Sequence, residues 1–336
     1  MPHRDIVAIG ASAGGIEALR HLTSKLPASF DAAVLITMHL AEDYPSTLDH
    51  ILTRSGPLPA HFAESGEKIE NGQIYLARSQ CHLLLTADRY LEYGHGPREN
   101  NARPAIDPMF RSVGLCCGAR SVGVVLSGML GDGAAGLLAL KQCGGIAVVQ
   151  EPDDAAFSEM PAHALRRAEP DHVVTLAALP ALLKKLVQQP AGNLFRVSDR
   201  LRFEVEIARS GRSNMREMDR IGRRSVLACP DCHGVMWEID EGELVRYRCH
   251  VGHAYTAESM KHAIDENLTR ALGSALRALD ERVAIAEKLR DKAIENRHLK
   301  SVEWWQRRVD ETQREAEIIR ESIERMEQGA GEKVGD

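Results

Sequence analysis

Residues 6–15 read IVAIGASAGG, an apolar run of strand type that ends in a glycine-rich turn holding one serine. Two chemistries use such a turn. A dinucleotide site needs G-x-G-x-x-G, with glycine at the second position so that the backbone can approach a pyrophosphate. Here Gly10 and Gly15 fit but Ser12 stands in that second slot, and no P-loop lysine follows. The same residues satisfy G-x-S-x-G as Gly10, Ser12 and Gly14. That spacing belongs to a sharp strand-to-helix turn that lifts a serine oxygen above the edge of a sheet.

Outward from this turn, residues 5 to 187 alternate short Val/Ile/Leu-rich runs (DIVAIG, AAVLITMH, SVGVVLSG, GIAVVQ, HVVTL) with amphipathic segments such as GIEALRHLTSKL and AAGLLALKQCG. The alternation predicts an α/β fold, a doubly wound and mostly parallel sheet with helices on both faces. QIYLAR and CHLLLT, separated by a short turn, are expected to pair as an antiparallel hairpin. In an open parallel sheet, functional groups gather at the carboxyl ends of the strands. The second strand ends in His39, and SVGVVLSGMLGDG ends in a glycine-rich loop holding Asp132. A nucleophilic serine needs a base, and the base an orienting carboxylate. Ser12, His39 and Asp132 supply all three if their strands are neighbours.

Several stretches, in order along residues 5–187, make this region resemble the catalytic domain of the chemotaxis protein-glutamate methylesterase (CheB) family: IGASAGG, MH, GQIYLARSQCHLLL, RPAIDPMFRS, GVVLSGMLGDGAAG and MPAHAL. The resemblance implies Ser12 as nucleophile, His39 as general base and Asp132 as orienting acid. It also implies oxyanion donors at Ala13 and in the loop of Met129, and catalysis without a cofactor. Arg103, in the RPAID loop with Asp107, is a candidate contact for an acidic receptor helix, against a structural salt bridge. The chain departs from the family pattern at Ala13, commonly a hydroxyl residue, and at Ala105 of RPAID, commonly serine. It reads as a stand-alone form, with the first catalytic strand near its start and no receiver domain before it.

The sequence has 336 residues, 44% hydrophobic and 27% charged, with a net charge of −6. That balance is ordinary for a globular protein and gives no basis for nucleic-acid binding. The opening MPHRDIVAIG lacks the n- and h-regions of a secretory signal, and no apolar run reaches the ~18–20 residues of a membrane helix. The expectation is a cytoplasmic protein without membrane insertion. Four of seven cysteines (Cys81, Cys116, Cys117, Cys143) lie among apolar neighbours and read as buried thiols.

Four segments are expected: 1–189, the methylesterase-like domain; 190–226, an arginine-rich linker or helix; 227–257, a zinc-ribbon-like module; and 258–336, a helical hairpin with a disordered tail. The second holds nine arginines between Arg196 and Arg224, interspersed with Glu204, Glu206, Glu217 and Asp219. It reads as a solvated face with ion pairs or as a docking surface for an acidic partner. In the third, CPDC (Cys229, Cys232) and CHVGH (Cys249, His250, His253) form two knuckles around a β-type segment. Cys229, Cys232, Cys249 and His253 would hold structural Zn2+, His250 being the competing fourth ligand. Heptad stripes, Leu268 to Ala293 and Val302 to Met326, predict two long helices that pair as a hairpin or between subunits of a homodimer.

The function this implies is hydrolysis of glutamate γ-methyl esters, and by the same intermediate of glutamine amides, on a methylated chemoreceptor or similar signalling protein. A CheR-type methyltransferase would be its counterpart. The rival reading is a non-catalytic signalling adaptor that binds partners through the ribbon and helices.

Overall fold

The computed structural model describes residues 3–39, 46–192, 197–241 and 244–329; Arg196 and the tail from residue 330 lie outside them. The first region runs β1 (Ile6–Ala11), α1 (Gly15–Lys25), β2 (Ala33–Met38), α2 (Leu48–Ser55), β3 (Ala60–Phe62), β4 (Ile74–Leu76), β5 (His82–Leu85), β6 (Leu91–Gly94) and α3 (Ile106–Cys117). It continues with β7 (Ser121–Val125), α4 (Ala134–Gln142), β8 (Ile146–Gln150), α5 (Glu159–Ala168), β9 (His172–Val174) and α6 (Leu179–Gln188). Seven strands form one parallel sheet in the order β3-β4-β2-β1-β7-β8-β9.

The central strands β1, β2, β7 and β8 are mostly apolar and buried because both faces are covered. Along β1 the side chains alternate. Ile6 and Ala8 pack with Phe110 of α3, Leu137 of α4 and Met160 of α5. Val7 and Ile9 pack with Leu19 and Leu22 of α1, Leu52 of α2 and Leu183 of α6. Burial of each large aliphatic side chain contributes about 1.5–3 kcal/mol, and this two-sided core makes the sheet a rigid platform. β2 lies on one side of β1 and β7 on the other, so the strand order reverses at β1. The crevice at such a reversal is where open α/β sheets place their sites.

The expected hairpin of QIYLAR with CHLLLT does not form. Ile74–Leu76 joins the parallel sheet between β2 and β3, because its three buried residues need cover on both faces. His82–Leu85 pairs antiparallel with Leu91–Gly94 instead.

Beyond α6 come α7 (Asp199–Ser210), α8 (Met215–Ile221), and β10 (Arg223–Ala228), β11 (Val235–Glu241), β12 (Leu244–Cys249) and β13 (Ala254–Thr256), which form an antiparallel sheet in that order. Ser198 caps α7 by accepting from the Leu201 N–H, and Gly211 ends it in the left-handed conformation. This part of the arginine-rich segment is not a solvated linker: Leu201, Glu204, Val205, Ile207 and Ala208 are buried. Its outer arginines do form ion pairs, Arg209 with Glu92 and Glu206, and Arg224 with Asp219.

Two compact units divide after Met260. The second contains most of α9 (Ala257–Glu295) and all of α10 (Leu299–Gly329). These helices form the expected antiparallel hairpin. Arg282 faces Glu315, and Arg290 donates to Gln306. Ala286, Ala293, Val309, Thr312 and Ala316 of the two heptad stripes are buried.

Candidate active site

Ser12 directly follows β1, where its N–H donates to the Ser127 carbonyl at 3.0 Å. Two glycines make the turn. A Cβ on Gly10 would lie 2.3 Å from Ile106 Cγ2, so the strand end can pass under α3 only without a side chain. Gly14 has φ +74, the left-handed conformation that costs glycine least. The G-x-S-x-G spacing therefore records one close approach and one special backbone angle.

His39 follows β2, with its N–H donating to the Ala11 carbonyl at 3.3 Å. Asp132 lies in the loop after β7. The neighbouring strands bring the three together. Ser12 Oγ is 3.1 Å from His39 Nδ1, and His39 Nε2 is 2.8 Å from Asp132 Oδ2. The imidazole thus presents Nδ1 to the serine and Nε2 to the carboxylate. The tautomer this arrangement requires carries its proton on Nε2, leaving the Nδ1 lone pair to accept the serine O–H.

Asp132 is 1% exposed and accepts five hydrogen bonds. Oδ2 receives His39 Nε2–H and the Ile106 N–H at 2.6 Å; Oδ1 receives the N–H groups of Asp107 (3.2 Å) and Gly133 (3.0 Å) and the Asn100 amide at 2.9 Å. Ile106 and Asp107 open α3, whose N-cap Ala105 supplies no capping side chain. Asp132 takes that place across space, at the positive end of the helix dipole. Burial pushes its pKa up, but the hydrogen bond and charge of His39, with the Ile106 N–H and Asn100, bring it below the ordinary carboxylate range. Asp107 goes the other way: burial and the adjacent Asp132 charge raise it to about 7.

The loop carrying Met129 is pinned on both sides. Gly128 N–H donates to the Phe157 carbonyl at 3.1 Å and Leu130 N–H to Glu159 Oε2 at 3.0 Å. Among the described residues, the N–H groups of Met129 and Ala13 donate to no protein acceptor. Arg103 donates to the Gly96 carbonyl at 3.1 Å and to Gln80 Oε1 at 3.3 Å, so its guanidinium braces its own loop. A groove of about 850 Å3 between α1 and α2, lined by Glu17, Arg20, His50 and Arg54 among others, does not include the three site residues.

A second cluster lies in the antiparallel sheet. The ligand atoms of Cys229, Cys232, Cys249 and His253 all fall within 4.8 Å of one another. His250 is outside the cluster. A tetrahedral ion with bonds of about 2.3 Å to sulfur and 2.0–2.1 Å to nitrogen sets S···S edges near ~3.8 Å and S···N edges near ~3.5 Å. Cys232 Sγ and Cys249 Sγ are 3.7 Å apart, and Cys249 Sγ and His253 Nδ1 are 3.4 Å apart. The donor set and spacing fit a metal. A hydrogen bond from Cys229 holds the Cys249 thiol well below its ordinary value against burial, and His253 adds to it. Asp231 lies 3.7 Å from His253 Nε2 and accepts from the Tyr255 hydroxyl.

Sequence reasoning missed Asn100, Glu99 and the arginines behind them. Asn100 donates to both Asp107 and Asp132. No local signal marks them; the missing cap at Ala105 is answered by Asp132, already named from its place after a strand.

Residues 7–183 match the family model described as CheB methylesterase. A relative from Leptospira interrogans is 33% identical over 184 residues, 55% of this chain and 95% of its own length. Proteins named protein-glutamate methylesterase/protein-glutamine glutaminase from Pectobacterium atrosepticum and Salmonella typhimurium are 35% and 34% identical over 195 residues. The chain spans only 55% of the length of each of these two. The crystal structure of the Thermotoga maritima CheB methylesterase catalytic domain matches with TM-score 0.53 at 27% identity, over 55% of this chain and 98% of that one. This chain belongs to the CheB methylesterase family.

Proposed function

We propose that the chain is a protein-glutamate methylesterase that removes γ-methyl esters from glutamates of a methylated chemoreceptor or similar signalling protein. What carries the reading is the unbroken hydrogen-bond chain from Ser12 through His39 to a buried, ionised Asp132. Ser12 Oγ attacks the ester carbonyl as His39 Nδ1 takes its proton. Asp132 holds the imidazole by Nε2–H and stabilises the imidazolium. The Ala13 and Met129 N–H groups receive the oxyanion, each such donor being worth about 10²–10³ in rate. His39 returns the proton to the departing methoxide, which leaves as methanol. Water then repeats the sequence on the acyl-enzyme and releases the glutamate. A glutamine side chain follows the same path with ammonia as leaving group.

The measurement is methanol release from methylated receptor protein by the full chain. Ser12→Ala abolishes it; an undiminished rate in that variant would remove Ser12 as nucleophile. The thiols are all unpaired, which suits a reducing cytoplasm, and no described helix is long and apolar enough to cross a membrane. A CheR-type methyltransferase supplies the ester that this enzyme removes.

Cys229, Cys232, Cys249 and His253 hold Zn2+ in a structural role, since four protein ligands leave no open position. Metal analysis of protein purified without chelators would return about one equivalent, and much less would count against it. The hairpin pairs with that of a second copy. Leu268 and Leu289 of its apolar stripe remain 48% and 37% exposed within one chain, and sedimentation equilibrium of the full chain decides the point.

A further inference from the structure

The cysteine-histidine sheet and the candidate active site share one residue. Asn100 sits in the loop before α3 with φ +51, followed by Asn101 with φ +63. These are left-handed positions that asparagine tolerates. Its amide is fully used. The two N–H donors go to Asp107 Oδ2 (3.0 Å) and Asp132 Oδ1 (2.9 Å), and Oδ1 accepts the Thr256 N–H at 2.9 Å. Thr256 is the last residue of β13. Its N–H fixes which way the amide points, because the opposite orientation would set donor against donor there and acceptor against carboxylate. The backbone of Asn100 is held by the same strand, with its N–H donating to the Ala254 carbonyl at 2.7 Å. Thr256 also lies against Gly131, the neighbour of Asp132: a Cβ there would meet Thr256 Oγ1 at 3.2 Å.

The adjacent Glu99 is held in the same way. It is 1% exposed and pairs with Arg111 of α3 and, at 3.0 Å, with Arg248 of β12. Arg248 directly precedes Cys249 and donates to the Gly252 carbonyl between Cys249 and His253. The second knuckle is thus wired to the Glu99–Asn100 loop through Arg248 and through β13, which begins right after His253.

Resting on the proposed hydrolase reading, we infer that the Cys229–His253 module is a brace for the active-site carboxylate, and that its metal occupancy controls esterase activity. The metal takes no part in the reaction. It holds the second knuckle, the knuckle holds β13 and Arg248, and these hold Asn100, a positioning residue that orients Asp132. Without the metal the knuckle loosens, Asn100 loses its anchor, and Asp132 no longer aligns His39 with Ser12. A misplacement of about 1 Å in such a relay costs about 10²-fold in rate.

The experiment uses the full chain with and without zinc, the metal content being measured in each sample. The rate of Ser12 labelling by a fluorophosphonate is read alongside methanol release. Metal-free protein is expected to label and turn over about 10–100-fold more slowly, with recovery on adding zinc back. In zinc-loaded Asn100→Ala, kcat is expected to fall by about the same factor with KM unchanged, and removing zinc is expected to cost that variant little more. Asn100→Ser replaces it if the alanine variant does not fold. Equal labelling of loaded and metal-free wild type overturns the inference alone. So does an Asn100 variant with wild-type kcat, or a chain that takes up no zinc. A zinc-loaded protein that is neither labelled at Ser12 nor active overturns the hydrolase reading together with the inference.

Discussion

Two side-chain clusters in this chain are built by opposite means. Ser12, His39 and Asp132 are separated by 27 and then 93 positions and meet because three adjacent strands of a two-sided core end at the same edge. Cys229, Cys232, Cys249 and His253 come from two tight knuckles on a small sheet with little core of its own. Its fully buried large side chains are Met236, Trp237, Ile239, Arg248 and Tyr255. The first cluster is brought together by the sheet, and its carboxylate is held in addition by the Asn100 amide. The second gathers three cysteines and a histidine whose ligand atoms all lie within 4.8 Å of one another, a donor set that fits a cation. One is a product of packing across a sheet and the other of two local knuckles.

The largest effect that would sharpen this contrast is on catalysis. Asp132→Asn should lower kcat for ester hydrolysis by about 10⁴, since the imidazole loses its ionised acceptor. Steady-state methanol release with KM held constant is the check; a loss confined to KM would mean that Asp132 does not orient the base. Next comes the seam between the two regions. Arg248→Met leaves Glu99 with one cationic partner in a dry site, and removing half of a buried pair costs about 3–5 kcal/mol. Denaturant unfolding of the full chain measures it, and a change under about 1 kcal/mol would mean that the module is only lightly attached. Within the platform, Gly10→Ala drives a methyl into Ile106 and should cost about 1–3 kcal/mol.

The smallest effect is on pH dependence. Asp107, raised to about 7, binds its proton more tightly folded than unfolded. Its contribution to stability is full below about pH 4 and is lost as pH rises through about 7. Glu204 is the reverse. Burial raises it, but Arg246, Arg111 and Arg248 bring it well below its ordinary value. Its contribution is present at neutral pH and lost only in acid, below about pH 4. Asp107→Asn should therefore shrink the fall in thermal midpoint between pH 5 and pH 8 without moving the acid limb. An unchanged slope across that interval would show that Asp107 does not hold its proton there.

Much of the platform was legible in the sequence because its signals are local. Strand runs, a glycine-flanked serine, and residues at strand ends report directly on sheet edges, and heptad spacing reports on the hairpin seam. Strand partners were less legible. QIYLAR looked like half of a hairpin because a short turn follows it, although Ile74, Tyr75 and Leu76, apolar on both faces, already had the character of an interior parallel strand. Asn100, Glu99 and Glu204 were harder still. Polar residues in a charged stretch look solvated, and nothing in a linear pattern tells that Glu204 meets Arg246 at 2.7 Å or that Glu99 meets Arg248. Their roles come from contacts across the chain, which leave no periodicity to read.

The arginine–glutamate lattice of Glu99, Glu204, Arg111, Arg246 and Arg248 also bears on how this chain can be divided. A cut at the end of the family-matched region would keep Glu99 and Arg111 and discard the other three, opening to solvent a face shaped to be dry and leaving its charges miscounted. A piece that extends through Met260 keeps all five partners together, and a shorter fragment that proves sluggish or insoluble would first have to be checked for this severed lattice.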